Sequence, residues 1–185
     1  MIKKMIKIVV IIILVVFLLM VVLIARESYY LRNNKNEYTD IKQYESYRAD
    51  DLVFTNDMRD IWPSKVLEEE VEEFYLMTYY SDATAFTGYL VVDYKPNEYK
   101  NEIERLSNID SNDYLGIYDA YGFEKYELVA MHASKDSGMN NGFTYALTDG
   151  KKKVIYIELE FPNIARKDYE KIIKEEYLPA GLKME

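Results

Sequence analysis

The chain has 185 residues, a net charge of −9 and no cysteine, so disulfides, thiolate nucleophiles, lipid attachment to cysteine and zinc–thiolate sites are all excluded. Lys3, Lys4, Lys7 and Arg26 give the first 26 residues a charge of +4 with no acids, which leaves −13 on residues 27–185. Such a field repels nucleic acid, anionic headgroups and polyanionic polymers, so no nucleic-acid partner is expected.

In chain order, residues 1–7 form a short tail carrying three lysines, and Ile8 to Ala25 are eighteen consecutive apolar residues. As a helix this run covers about 27 Å at roughly 1.5 Å per residue, near the hydrocarbon thickness of a bilayer. Residues 8–25 are therefore predicted to be a transmembrane helix, with the membrane as the first partner. A cleaved signal peptide also starts basic, but its apolar core is about 7 to 15 residues and ends in a small-x-small pattern, which Leu23-Ile24-Ala25-Arg26-Glu27 lacks. Arg26, Arg32, Lys35 and Lys42 weaken the charge bias across the span. A long carboxy-terminal domain nevertheless crosses largely regardless of charge, while a three-lysine tail stays inside. The expected address is the cell membrane, single-pass, with the carboxy-terminal domain outside the cytoplasm.

Residues 26–50 are polar, contain scattered tyrosines and hold no Gly or Pro, and they read as a juxtamembrane stalk. The stretch DLVFTNDMRDIWPSKV reads as a lead-in loop, in which Pro63 holds Trp62 extended. Val71–Tyr80 and Phe86–Tyr94 are expected to pair as an antiparallel hairpin through SDATA. The acidic run Glu68, Glu69, Glu70, Glu72 and Glu73 reads as a solvated charge run, since strand alternation divides its carboxylates between two faces. Pro96 then opens a helix, PNEYKNEIERLS, with Tyr99, Ile103 and Leu106 on its buried stripe.

From Asn108 to Lys125 a long loop is expected. Asp110, Asn112 and Asp113 offer oxygen ligands at close spacing, but the glycine and the terminal carboxylate of a calcium loop are missing, and turn capping explains them better. Three further strands are predicted at Glu127–Ala133, Gly142–Thr148 and Lys152–Phe161. Asp149-Gly150 is expected to form a type I′ turn between the last two. On the last strand Ile155, Ile157, Leu159 and Phe161 share one face; Tyr156, Glu158 and Glu160 share the other. A closing helix is expected at Asp168–Tyr177, stopped before Pro179. Residues 51–185 thus read as one α+β domain, a mostly antiparallel sheet of about five strands in the order ββα-βββα, with both helices on one face.

The segments VEEFYLMTYY, NEIERLSNIDSNDYLGIYDAYGF, YALTDGKKKVIYIELEF and DYEKIIKEEYLPAG together resemble a set of small, uncharacterised single-pass membrane-anchored proteins of Gram-positive bacteria. The resemblance covers most of residues 70–181. It implies an extracytoplasmic address and an α+β domain, and it carries no activity and no functional residues.

No catalytic residues, metal ligands or cofactor are assigned. There is no G-x-S-x-G elbow and no phosphate-cradling loop, and His132, the single histidine, reads as structural, on a strand face with Leu128 and Ala130. Two functions are weighed. The first is a non-enzymatic binding or accessory module for a protein or glycan partner, with nineteen tyrosines supplying amphipathic contact area. Its contact surface is placed on Tyr156, Glu158 and Glu160, expected on the solvated face of the sheet. The alternative is an envelope-directed hydrolase using paired carboxylates, for which Asp93, Glu158 and Glu160 are the candidates.

Overall fold

The computed structural model describes residues 2–33, 35–80, 84–112, 115–134, 142–160 and 172–182. It divides into two units, residues 1–35 and 36–185. The first is a single helix, α1 (Ile2–Asn33), whose apolar side chains from Val10 to Ile24 are each 48–67 % exposed. Among the described residues no helix is long and apolar enough to cross a membrane. Side chains of α1 are described without a gap only from Val10 to Arg26, so the run at 8–25 lies partly outside the described residues.

The second unit is an α+β domain on one antiparallel sheet. Its elements are β1 (Lys35–Tyr38), a 3-10 turn (Ile41–Gln43), α2 (Tyr44–Ala49), α3 (Asn56–Ile61), a 3-10 turn (Glu68–Glu70), β2 (Val71–Tyr80), β3 (Thr84–Asp93), α4 (Pro96–Ser107), β4 (Glu127–Ser134), β5 (Gly142–Thr148) and β6 (Lys153–Glu160). The strand order is β1-β2-β3-β6-β5-β4, six strands where the sequence suggests about five. The addition is β1, a short, charged edge strand of the kind that discourages further pairing.

The expected stalk at residues 26–50 is corrected by its second half. Asp40 caps the turn at Ile41 by accepting from the Lys42 amide at 3.1 Å. Ile41, Tyr44 and Tyr47, spaced by three, then turn toward the core, where Tyr44 is buried and donates to the Pro63 carbonyl at 2.7 Å. Their aromatic bodies supply the burial that a polar reading of tyrosine misses. Similarly, the lead-in stretch contains α3, capped by the Thr55 side chain, which accepts from the Met58 amide. The helix ends at Trp62, extended before Pro63 as expected.

The β2–β3 hairpin forms, and α4 runs Pro96–Ser107 with Leu106 buried and Tyr99 and Ile103 packed on the core. The placement of the helices is the main correction. Alternation on β6 divides the sheet as the sequence indicates, but α2, α3 and α4 cover the Val154–Tyr156 face, in one cluster with Tyr44, Phe54, Met58, Ile61, Trp62 and Leu106. The Ile155–Ile157–Leu159 face is covered instead by residues around Ala120 and by Ile173 and Tyr177. Neither side of β6 is left to solvent; Val154 to Leu159 are all buried. Phe161, the loop residues 135–141 and most of the predicted helix at 168–177 lie outside the described residues; the described part at Glu175–Tyr177 is a 3-10 turn.

Candidate functional site

β6 lies between β3 and β5, with Gly88 and Thr144 flanking Glu158 and Leu90 and Ala146 flanking Tyr156. Tyr156 is buried at the head of a polar network. Its hydroxyl donates to Glu102 Oε1 at 2.5 Å and is joined by the Tyr94 hydroxyl at 2.8 Å. Glu102 in turn receives Arg105, whose guanidinium also donates to the carbonyls of Asp60 and Ile61 at 2.7 and 2.6 Å, the last turn of α3. Burial, together with Tyr94 and the Glu102 charge, pushes the Tyr156 hydroxyl well above its ordinary value. Burial alone would lower Arg105, but the hydrogen-bonded carboxylate of Glu102 outweighs it and holds the guanidinium above its usual range. This network ties sheet, α4 and α3 together, so Tyr156 is a structural anchor and not a contact residue.

Glu158 and Glu160 follow on the same face. Glu158 is 0 % exposed, and its Oε2 accepts from Thr144 Oγ1 at 2.7 Å. Oε1 of Glu158 and Oε2 of Glu160 are buried without a hydrogen-bond partner among the described residues. Burial pushes the Glu158 carboxyl well above the carboxylate range, with the Glu160 charge adding to it. Burial also raises Glu160, to about 8, against a backbone amide at Phe86 that favours the anion. The solvated contact face expected at Tyr156, Glu158 and Glu160 is thus a buried polar layer.

Of the three carboxylates named for the paired-carboxylate alternative, Asp93 stands apart from the other two. Asp93 stands opposite Lys153 while Glu158 stands opposite Gly88, five residues away along β3, or roughly 17 Å at about 3.3 Å per residue. Asp93 is engaged by Lys152 and Lys153. Four acids of the run that leads into β2 are each placed against a lysine: Glu68 to Lys42, Glu70 to Lys95, Glu72 to Lys153 and Glu73 to Lys174. Among the described residues no group of three or more His, Asp or Glu side chains is placed to hold a metal ion. Asn112, one of the oxygen-rich trio, spends its amide on the outer edge of β4, donating to the Ala133 carbonyl at 2.6 Å and accepting from its amide at 2.7 Å. Asp113 lies outside the described residues.

His132 faces Thr144 across β4 and β5, with Nε2 3.8 Å from Asp60 Oδ2. An irregularity between Leu128 and Ala130 separates the expected face-mates: Ala130 packs in the helix-covered cluster and Leu128 on the opposite side.

The loop between α4 and β4, expected from the sequence at Asn108–Lys125, has a backbone conformation that the sequence does not specify. Tyr118 and Asp119 are consecutive left-handed residues, φ 50° and 57°. The Tyr121 amide donates to the Ala180 carbonyl at 2.9 Å, and the Ala180 amide to Gly122 at 2.6 Å. Held this way, the loop presents Leu115 and Tyr121 at 61 % and 64 % exposure. Only the two glycines at 116 and 122 signal such a conformation in the sequence. No family model, curated protein or solved structure matches the chain.

Proposed function

We propose that the chain is a single-pass membrane protein whose first helix, through residues 8–25, anchors an extracytoplasmic α+β domain acting as a non-enzymatic binding or accessory module. The observation that carries the reading is α1: one helix continues past both ends of the apolar run, and every described side chain from Val10 to Ile24 stands open. So large a continuous apolar surface requires a non-aqueous surrounding, and a helix satisfies its own backbone there. The resemblance to single-pass proteins of Gram-positive bacteria supports the same address. Lys3, Lys4 and Lys7 favour a cytoplasmic amino terminus.

The binding reading rests on the domain. Of its paired carboxylates Glu158 is fully buried and Glu160 half-buried on the helix-covered face of the sheet, whereas the loop at 115–122 combines strained backbone, firm attachment and exposed apolar side chains. That loop takes over the contact role from Tyr156, Glu158 and Glu160, with an envelope protein as partner.

Protease added to intact protoplasts should remove residues 36–185 and leave a membrane-retained fragment carrying α1. Full protection of the domain would reverse the orientation, and release of the intact chain by carbonate washing would remove the anchor. For the contact surface, Leu115→Glu with Tyr121→Glu should leave the melting temperature unchanged and abolish co-purification of a cross-linked envelope partner.

A further inference from the structure

Glu158 and Glu160 lie on the face of β6 that receives the underside of α3, and that helix brings Met58 and Ile61 into the core, followed directly by Trp62. The groups around the pair come from each packed element. α3 contributes Asp57, β5 contributes Thr144 and β3 the Phe86 backbone amide, while on β4 His132, opposite Thr144, lies 3.8 Å from Asp60 of α3. Asp57 adds a third negative charge. Among the described residues no lysine or arginine pairs with either glutamate, and one oxygen of each is buried without a partner.

Two ionised carboxylates side by side, one fully buried and one half-buried, with another acid nearby, have only the Thr144 hydroxyl and the Phe86 amide to offset their charge. A proton on the pair removes the repulsion and supplies a donor where both orphaned atoms are acceptors.

We propose that Glu158 and Glu160 form a proton-operated latch for α3: protonated, the pair lets α3 seat on the sheet; deprotonated, its charge acts with Asp57 to lift α3 and uncover Met58, Ile61 and Trp62. The raised carboxyls fix the sign. Their contribution to stability is fully present below the unfolded carboxyl value of about 4.3 and is lost as pH rises through the folded values, about 8 for Glu160 and well above the ordinary carboxyl range for Glu158. The latch therefore loosens with alkalinity. It depends on the domain alone and holds whichever side of a membrane the domain occupies.

Trp62 is the single tryptophan and is buried, so it reports the latch directly in the full-length chain in detergent. Acrylamide quenching of Trp62 should rise between about pH 6 and about pH 9, with the opening constant increasing about tenfold per pH unit where one proton is lost. The Glu158→Gln, Glu160→Gln variant should remain protected across that range. If the variant does not fold, carbon-13 titration of the wild-type glutamate carboxyls decides, and two resonances should titrate above neutrality. Quenching independent of pH in the wild type, an unchanged pH dependence in the folded variant, or carboxyls that all titrate near about 4.3 would overturn the latch. So would protection of Trp62 on adding calcium or zinc at alkaline pH, which would assign the pair to a cation.

Discussion

The hydroxyl of Tyr156, on the strand at the middle of the sheet, donates to Oε1 of Glu102 on α4 at 2.5 Å. Removing it leaves a buried Tyr94 hydroxyl without its partner and weakens the grip of Arg105 on the end of α3. Tyr156→Phe should therefore destabilise the domain by about 1–3 kcal/mol. Urea unfolding should show a lower midpoint with an unchanged slope; an unaltered midpoint would mean the network is incidental.

The β5–β6 turn gives a second expectation. Gly150 sits at φ +73°, whereas Asp149 is not left-handed, so the turn is not the type I′ form that the dipeptide suggests. Asp149 instead organises a four-residue connection by accepting from the amides of Lys151, Lys152 and Lys153 at 2.9–3.0 Å. Gly150→Val should cost about 1 kcal/mol or more through backbone strain, read as a lower melting temperature.

Asp149 also carries a pH signature. Burial alone would raise its carboxyl, but the three amides outweigh it and hold it below the usual range. A depressed acid contributes stability above its unfolded value of about 3.9 and loses it as pH falls through the folded value. Asp149→Asn should accordingly be less stable than the wild type at neutral pH, and the gap should narrow in acid. A constant gap across an acid titration followed by circular dichroism would exclude the anion from the turn.

Gly88 occupies the row between Leu76 and Glu158. A Cβ there would stand 2.6 Å from the Tyr75 carbonyl oxygen and 2.8 Å from Leu76 Cα, both backbone atoms of β2. Gly88→Ala should cost about 1–3 kcal/mol in thermal unfolding, because a strand has to move to admit one methyl group.

At the outer edge of β4, Asn112 and Ser111 take the place of a neighbouring strand at Met131 and Ala133. Asn112→Ala should cost about 1 kcal/mol and make the domain self-associate with concentration, since the freed edge can pair with another copy. Sedimentation velocity over a range of concentrations would show it; a monomer throughout would mean that Ser111 alone guards the edge.

The legible parts of the fold were those with local causes. Pro96 and the spacing of Tyr99, Ile103 and Leu106 define α4 to the residue, and the β-rich run at Gly142–Thr148 defines β5 in the same way. The two faces of β6 were also legible. What covers them was not, because the covering residues, Tyr44, Phe54, Met58, Ile61 and Trp62, lie about a hundred positions earlier in stretches that read as stalk and loop. Glu158 and Glu160 were singled out for the reason that misplaced them: a carboxylate on alternating positions signals solvent, and the signal fails when the group can be buried as the neutral acid. The loop at 115–122 was legible as a loop, but its conformation was not, because that conformation is held by hydrogen bonds to Ala180, near the far end of the chain.

The position of β6 reaches beyond the folded state. In the order β1-β2-β3-β6-β5-β4, the last of the described strands in the chain, β6, joins the hairpin β2–β3 to the pair β4–β5. Once β5 has emerged and until residue 160 is available, the chain holds two half-sheets, each with an open edge. Long-range pairing of this kind slows folding and prolongs exposure to aggregation and proteolysis. A chain delivered amino terminus first would keep the open edge of β3 unpaired until β6 follows, and shielding by a chaperone would matter most just before β6 arrives.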